Sequence, residues 1–364
     1  MMRICASLSK AGYHVVLVGR KLPSSAPLPT ASYSQKRLGC WFNKGKLFYA
    51  EYNLRLFIFL LFKKMDCICS IDLDTILPCL FISKLKKTKR VYDAHELFCE
   101  MKEIVTRPGI QKVWKKIERY ALPQFKNGYT VNQPIADEFY KMYGVKYAVI
   151  RNVPLLKKNE RMVREDTNQG EDYTVVREGT NHGGEKYILY QGAVNEARCF
   201  ESLIPAMKEM DCKLIICGDG NFIQQAKQLA KENTVDDKVI FKGNIAPDEL
   251  RNITEQAYLG LNLVENTGLS NYLSLANKFF DYIHAGIPQL CAGYPAYASI
   301  NNEQEVAVLI TDMSVKNIAL QLNNLLSDEL LYQRLQANCI KAKAVYNWQN
   351  EEKILLAFYH QLLG

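Results

Sequence analysis

The chain has 364 residues, which is too long for one ordinary core and suits two domains. Hydrophobic residues make up 48% and charged residues 23%, a balance typical of a globular protein. The longest apolar run, residues 54–62, is far shorter than the roughly 20 residues of a spanning helix, and the opening residues lack the apolar core of an export signal. We therefore predict a cytoplasmic protein, which leaves room for peripheral contact with the inner face of the membrane.

The predicted elements of the first half alternate between helix and strand, as in parallel sheets with crossover helices. Helices are predicted at residues 2–11, 50–63, 75–85 and 110–122, with a further helix that ends at Gly144. Strands are predicted at residues 13–20, 66–72, 90–95, 127–132 and 147–152, and residues 21–50 are predicted to be irregular. The pattern opens on a helix, whereas a doubly wound domain normally begins with a strand and a glycine-rich turn.

Residues 155–186 are polar, charged and glycine-bearing, which predicts a linker or a mobile insertion. The alternation then begins again. Strands are predicted at residues 187–192, 238–245, 258–265 and 287–293, and a strand and turn at 213–220. Helices are predicted at residues 199–210, up to 232, from 247, at 277–286, and after 314, with the last near 349–362.

The net charge is +8, and basic residues concentrate in the first half of the chain. Three interpretations stay open: a solvated face, a surface that meets anionic lipid or an anionic acceptor, and nucleic-acid binding. No basic motif with interleaved aromatic residues is present, so we expect no nucleic-acid partner.

We expect no metal site. The 11 cysteines are odd in number and form no Cys-x-x-Cys pair, so we interpret them as buried, reduced thiols. The five histidines are spread along the chain, whereas zinc needs clustered ligands. Asp72 and Asp74 resemble a metal-binding carboxylate pair, but Asp74 before Thr75 is typical of a helix N-cap.

The predicted helix at 277–286 has one apolar and one polar face. The polar face carries Asn277, Lys278, Asp281 and His284. Since a helix start favours an anion, Lys278 there suits a diphosphate, and Asp281, one turn further on, suits a ribose diol. The alternative is an amphipathic surface helix with an ion pair between positions i and i+3.

Other candidate residues follow predicted strands of the same half, where open α/β sheets bind ligands. These residues are Arg198, which could clamp a diphosphate, Gly218, Asp219 and Gly220 in one turn, and Lys242, Gly243 and Asn244 in another. In the first half, Asp93, His95 and Glu96 end a strand. There His95 is a polar contact, a proton carrier or a structural histidine.

Five segments resemble, in this order, a large family of retaining GT-B glycosyltransferases, the family 4 type also called glycosyl transferases group 1. They are YDAHELF, YILYQGAVNEAR, LIICGDG, VIFKGNI and NKFFDYIHAGIP. The resemblance implies a GT-B fold with two Rossmann-like domains facing a cleft, here without the first strand of the N-terminal domain. It implies an acceptor domain at residues 1–160, a linker or insertion at 161–185, a nucleotide-sugar domain at 186–345, and a helix at 346–364 that crosses back to the first domain.

The implied activity is hexosyl transfer from a UDP- or GDP-linked sugar to a glycan or lipid-linked acceptor, as in surface polysaccharide synthesis. Such transfer retains configuration and needs no metal or cofactor. By motif match, Arg198 and Lys278 contact the diphosphate, Asp281 holds the ribose and His95 meets the donor sugar. Further donor contacts are expected at Gly218, Asp219, Gly220, Lys242, Gly243, Asn244, Glu265, Ser274 and Asn277.

The sequence departs from the family pattern in three places. The first glutamate of the family's E-x7-E pattern falls on Leu273, so Glu265 or Asn271 would replace its contact. The usual arginine after the strand glycine falls near Ala193, and the first strand with its glycine loop is absent. The alternative is therefore a catalytically impaired relative that binds nucleotide sugars. A nucleotide-sugar epimerase would need more carboxylates and histidines in the cleft.

Overall fold

The computed structural model describes residues 1–156, 163–167, 170–174 and 186–364. Two compact units make up the chain: unit 1 comprises Met1–Arg151 and Gln349–Gly364, and unit 2 comprises Asn152–Trp348. The expected linker or insertion at residues 161–185 lies outside the described residues, apart from the backbone of two strands.

Unit 1 alternates helices and strands as the sequence predicts. Its helices are α1 (Met2–Lys10), α2 (Gly45–Leu61), α3 (Ile76–Lys86), α4 (Lys102–Val105), α5 (Pro108–Ala121) and α6 (Gln133–Tyr143). Its strands are β1 (Val16–Lys21), β2 (Ser34–Gly39), β3 (Cys67–Ile71), β4 (Lys89–Ala94), β5 (Asn127–Thr130) and β6 (Ala148–Val149).

The parallel strands of unit 1 form two sheets. One is a four-stranded sheet in the order β3-β4-β5-β6, and the other is the pair β1-β2. The strand β2 corrects the expectation that residues 21–50 are irregular. Its residues, SQKRLG, are polar and offer no apolar alternation, so it forms by pairing with β1 rather than by burying a face.

Unit 2 contains the remaining elements up to Val345. Its strands are β7 (Val163–Thr167), β8 (Gly170–Thr174), β9 (Tyr187–Gln191), β10 (Lys213–Cys217), β11 (Val239–Gly243), β12 (Leu259–Asn262), β13 (Gln289–Ala292) and β14 (Ala307–Ile310). Its helices are α7 (Phe200–Ala206), α8 (Ile223–Glu232), α9 (Pro247–Gln256), α10 (Leu269–Tyr272), α11 (Asn277–Ala285), α12 (Pro295–Gln304), α13 (Val315–Ser327) and α14 (Glu329–Val345).

The strands β9 to β14 form one parallel sheet in the order β11-β10-β9-β12-β13-β14. The order reverses direction at β9, which is the point where doubly wound sheets bind ligands. The strands β7 and β8 form a separate antiparallel pair. The helix α12 and the strand β14 were not predicted, and β14 is only four residues long.

The closing helix α15 (Trp348–Leu363) belongs to unit 1 from Gln349 onward. The Tyr359 ring lies 6.4 Å from the Tyr129 ring on β5, and Glu351 accepts hydrogen bonds from the backbone and guanidinium of Arg151. The last helix is thus fixed to unit 1 by both an aromatic contact and a buried carboxylate.

All the cysteines are free, and all except Cys40, Cys67 and Cys69 are buried. Across the described helices, none is both long and apolar enough to cross a bilayer.

Candidate functional site

The carboxyl ends of β9, β10 and β11 meet at one edge of the unit 2 sheet. The Gly192 N–H donates to the Cys217 carbonyl at 2.9 Å, and the Gly218 N–H donates to the Gly243 carbonyl at 2.7 Å. The structure therefore brings together the turns around Gly218 and Gly243 that the sequence singled out separately.

Gly218 and Gly220 let two of these turns pack against each other. A Cβ atom on Gly218, whose φ is +145°, would lie 1.8 Å from the Gly192 carbonyl oxygen, and one on Gly220 would lie 2.3 Å from the Val194 oxygen. Between them, the Asp219 carbonyl accepts from the Val194 N–H at 3.0 Å, and its carboxylate accepts from the Gly220 N–H. The turn thus has a fixed backbone at the edge of the site.

Lys242 and Asn244 are exposed on either side of Gly243, whose φ is +67°. The left-handed backbone at Gly243 turns the chain directly after β11. A contact between this turn and a base stays a prediction.

Lys278 and Arg198 form a pair of neighbouring cations. The Lys278 Nζ lies 3.7 Å from the centroid of the Tyr190 ring at the end of β9. Burial and then the nearby Arg198 guanidinium hold the pKa of Lys278 well below its usual value. In the described part of the chain, neither cation has a carboxylate partner or a hydrogen-bond acceptor. The pair is therefore suited to an anion supplied from outside.

Arg198 is held by unusual backbone. Both of its neighbours, Ala197 and Cys199, have positive φ values of 62° and 59°. The Ala197 carbonyl accepts from the Glu265 N–H at 3.0 Å, which ties this loop to the one after β12. Non-glycine residues rarely adopt such φ values, and they often mark functional sites.

Asp281 lies one turn into α11 and is oriented by β9. The Gln191 amide donates to the Asp281 Oδ2 at 2.9 Å, while the Gln191 Oε1 accepts from the Thr254 hydroxyl at 2.7 Å. Both Gln191 and Thr254 are buried. The carboxylate thus has a fixed position on the polar face predicted from the sequence.

The start of α11 has no side-chain cap. Asn277 is exposed there, and its Oδ1 accepts from the Asn152 amide at 2.9 Å. His284, at the other end of the same face, contacts the Tyr346 carbonyl through its Nε2 at 2.8 Å. His284 is therefore a structural contact, while the helix start, which has no side-chain cap, favours an anion through the helix dipole.

The loop from β12 to α11 contains Glu265 and Ser274, and it is held by Tyr294, which precedes α12, and by Tyr297 in α12. The Tyr294 hydroxyl donates to the Val264 carbonyl at 2.7 Å, and the Tyr297 oxygen accepts from the Ala276 N–H at 3.0 Å. Glu265 is half-buried beside the Arg198 loop, and the Ser274 hydroxyl donates to the Asn271 carbonyl. Leu273, in the place of the family's first glutamate, is buried.

A second polar cluster lies at the carboxyl ends of β3 and β4 in unit 1. The His95 Nε2 is 3.3 Å from the Asp93 Oδ1, and the His95 N–H donates to the Asp72 Oδ1 at 2.9 Å. Asp93 raises the pKa of His95, and burial raises the pKa of Asp72 to about 7. Among the described residues, the buried Asp93 Oδ2 has no hydrogen-bond partner.

The expectation that Asp74 caps a helix is wrong. Asp74 lies within a single turn of 3-10 helix, the residue before α3 is Thr75, and neither position makes a side-chain cap. Asp72 is the carboxylate with a specific contact, through His95. Within the described residues, no group of three or more histidine, cysteine, aspartate or glutamate side chains could hold a metal ion.

Sequence reasoning missed the residues that support the site. These residues lie close to the end of a strand or the start of a helix, and no charge marks them in the sequence. They are Gln191, Tyr190, Tyr294 and Tyr297. Tyr190 shows this best: its hydroxyl donates to the Ala193 carbonyl, its ring lies under Lys278, and burial raises its pKa to about 12.

Residues 174–343 match the family model of the glycosyl transferases group 1. The matched residues all lie within unit 2. No curated protein sequence matches the chain.

Solved structures resemble the whole chain in fold. Sucrose-phosphate synthase from Thermosynechococcus elongatus is 15% identical, with a TM-score of 0.75 over 99% of this chain and 92% of that one. HepE from Anabaena, solved with UDP-glucose, is 11% identical, with a TM-score of 0.67 over 91% and 86%. WaaG, a glycosyltransferase of lipopolysaccharide biosynthesis, is 14% identical, with a TM-score of 0.64 over 97% and 93%.

These likenesses confirm the predicted GT-B fold class, an α/β protein with two Rossmann-like domains. The matched residues include the cation pair, Asp281 and the glycine turns, which all lie between residues 186 and 343. This candidate site therefore combines two cations that have no carboxylate partner among the described residues, a helix start without a side-chain cap and an oriented carboxylate.

Proposed function

We propose that the chain is a glycosyltransferase that moves a hexose from a UDP- or GDP-linked donor to a glycan or lipid-linked acceptor. The observation that carries this proposal is the pair Arg198 and Lys278 beside the uncapped start of α11. Two cations that lack a partner among the described residues suit the diphosphate of a nucleotide sugar. The solved structures of HepE with UDP-glucose support a donor of this class.

Each donor group has a suitable partner among the matched residues of unit 2. Arg198 and Lys278 bind the diphosphate, and Asp281, fixed by Gln191, accepts from the ribose hydroxyls. The turns at residues 218–220 and 242–244 line the base, and Glu265, Ser274 and Asn277 complete the site. These roles form part of the proposal.

In the proposed reaction, the bond between the anomeric carbon and the diphosphate oxygen breaks. The nucleotide leaves with the electron pair, and the acceptor oxygen forms the new bond while its proton passes to the leaving phosphate. Charge therefore grows on the diphosphate in the transition state. Arg198, Lys278 and the amides of α11 stabilise that charge without reorganising, which lowers the barrier.

We further propose that transfer retains configuration and needs no metal ion, because the cation pair supplies the charge that a metal would otherwise provide. The product's anomeric proton coupling tests retention, and activity in excess chelator tests metal independence. The printed role of WaaG in lipopolysaccharide biosynthesis supports a place in surface polysaccharide synthesis.

Unit 1 is proposed to bind the acceptor. The cluster of Asp72, Asp93 and His95 is equipped to hold or exchange a proton, and the Asp93 Oδ2, which has no hydrogen-bond partner among the described residues, can accept from a hydroxyl. We expect His95→Asn to lower transfer while leaving nucleotide affinity unchanged.

Calorimetric titration of the full chain with UDP and with GDP tests donor binding. We expect micromolar to millimolar binding of one of them, and a loss of roughly tenfold or more for Lys278→Ala and for Arg198→Ala. Lys208→Ala, at an exposed lysine of the same unit, is the matched control and should bind like the wild type. Absence of binding by both nucleotides would remove the proposal.

The depressed pKa of Lys278 gives the same titration a pH readout. An anion beside Lys278 raises the pKa of its amine. At pH values above the depressed pKa, binding therefore takes up a proton, and affinity falls as the pH rises. The Lys278→Gln variant should lose this dependence.

A catalytically impaired relative that only binds nucleotide sugars is the second candidate. The buried Leu273 favours it, because an apolar side chain stands where the family carries a carboxylate. An assay for slow hydrolysis of the bound nucleotide sugar, which measures the free sugar released, separates the two candidates. An active transferase should release free sugar slowly. Tight binding without any hydrolysis or transfer would support the second candidate.

A further inference from the structure

Three neighbouring helices of unit 1 expose apolar side chains to solvent. The helix-face residues concerned are Leu54, Ile58, Phe62, Phe81, Leu85 and Tyr120, carried by α2, α3 and α5 and the residue after α2. Phe62 is 80% exposed, Leu85 64% and Leu54 60%. We call this surface the α2-α3-α5 face.

The helix α2 is apolar on two opposite sides. Tyr52, Leu56 and Leu60 are buried at spacings of four, and they fix one side to the protein. Leu54, Ile58 and Phe62 repeat at the same spacing on the other side, where surface helices normally carry polar residues. Packing within unit 1 accounts for the first stripe only.

Specific contacts link the three helices at their carboxyl ends. The Lys86 Nζ donates to the Lys63 carbonyl at 2.6 Å, which joins the end of α3 to the end of α2. The Lys84 Nζ lies 5.7 Å from the Tyr120 ring, which joins α3 to α5. These contacts place the carboxyl ends of the three helices side by side, together with the exposed Phe62, Leu85 and Tyr120 that lie at those ends.

The same surface is strongly basic. Residues 54–65, 75–92 and 108–117 contain no aspartate or glutamate. The exposed lysines of these segments are Lys63, Lys64, Lys84, Lys87, Lys89, Lys112 and Lys116. Lysines near helix ends also complement the helix dipole, but that role does not require exposed leucine, isoleucine and phenylalanine beside them.

We propose that the α2-α3-α5 face docks on the surface of a bilayer that contains anionic lipid. Its apolar side chains enter the boundary between headgroups and acyl chains, and its lysines meet the negative surface potential. The composition favours a bilayer over a protein partner, because lysine is depleted from protein–protein interfaces. The inference stands without sugar transfer, since it concerns unit 1 and not the nucleotide site.

Flotation of the full chain with vesicles tests the proposal. We expect recovery with vesicles of phosphatidylcholine and phosphatidylglycerol, and little recovery with phosphatidylcholine alone. The triple variant Leu54→Gln, Ile58→Gln, Phe62→Gln should bind roughly tenfold or more weakly, because glutamine keeps the helix but not the apolar contact. The charge variant Lys64→Glu, Lys84→Glu, Lys116→Glu should bind weakly as well, and its residual binding should not depend on anionic lipid.

Matched controls come from unit 2. Leu320→Gln with Leu330→Gln removes equally exposed leucines, and Lys208→Glu, Lys231→Glu and Lys316→Glu reverses as many exposed lysines. Both controls should float like the wild type, and melting temperatures and UDP or GDP titration confirm that each variant is folded. Failure of the wild type to float at low salt overturns the proposal. So does a dimer in solution that the glutamine variant converts to a monomer, since a second copy would then cover this face.

Discussion

The two units use parallel strands in different ways. In unit 2, the strands β9 to β14 join one six-stranded sheet, and β9, β12 and β13 are buried along almost their whole length. In unit 1, the parallel strands are divided into sheets of two and four, and no residue of β1 is buried. A parallel strand is normally covered on both faces and paired on both sides, so β1 lacks support that every central strand of unit 2 has.

The units also differ at their surfaces. Among the described residues, most of the exposed large hydrophobic side chains lie in unit 1, while unit 2 exposes few. The two units therefore differ in how they distribute apolar side chains between core and surface. The described part of unit 2 encloses its apolar residues around the six-stranded sheet, whereas unit 1 exposes a part of its apolar residues to solvent.

Hydrogen exchange tests the difference between the sheets of the two units most directly. We expect the amides of β1 and β2 to open with a free energy at least about 4 kcal/mol below that of β9 and β12, because two-stranded sheets are marginal alone. Mass spectrometry of peptides over residues 16–39 and 187–192 measures this. Equal protection of the two regions would contradict the comparison.

A pair of glycine substitutions sharpens it. Gly218→Ala in unit 2 should cost about 3 kcal/mol, since the new Cβ meets the Gly192 carbonyl at a φ that alanine rarely adopts. Gly19→Ala in β1 meets no atom within 4 Å and should change stability by less than about 0.5 kcal/mol. Denaturant titration compares the free energies of unfolding of the two variants. A similar loss of stability for both would show that the close packing around Gly218 is not the cause.

The pH dependence of the stability of unit 1 provides a further test. Burial raises the pKa of Asp72 to about 7, while an unfolded aspartate titrates near about 4. An acid with a raised pKa destabilises the folded state as it ionises, so the cost is absent below about pH 4 and complete above about pH 7. Asp72→Asn should therefore raise the free energy of unfolding by up to about 4 kcal/mol at pH 8, since one pKa unit is about 1.4 kcal/mol, and leave it unchanged at pH 4.

The control for this variant is Asp66→Asn, at an exposed position of the same unit. It should leave stability within about 0.5 kcal/mol at both pH values. If Asp72→Asn raised the free energy of unfolding equally at pH 4 and pH 8, ionisation of Asp72 would not be the cause.

Much of the fold could be predicted from the sequence, because most elements of both units carry a clear apolar period. The predicted helix at 277–286 begins and ends within one residue of α11, since Gly286 adopts the left-handed backbone that stops it. The strand β2 could not be predicted, because its polar residues form a strand only through pairing with β1.

The candidate site was accessible in part. The charged residues Arg198, Lys278 and Asp281 and the glycine turns stand out in the sequence, and the sheet order brings them to one edge. Gln191 and Tyr190 do not stand out, because a glutamine and a tyrosine at the end of a strand are ordinary until their partners are known. The contact between Asp72 and His95 joins residues 23 positions apart, and local reasoning assigned the capping role to Asp74 instead.

The sequence by itself determined the class of fold, the position of the helix that carries Lys278 and Asp281, and the basic character of unit 1. These properties follow from local period, turn residues and composition, which act over a few residues. Only the tertiary structure decided that Lys278 lies over Tyr190 beside Arg198, and that apolar side chains of three helices share one exposed surface. Both depend on which strands and helices become neighbours, and that arises from packing between segments far apart in the chain.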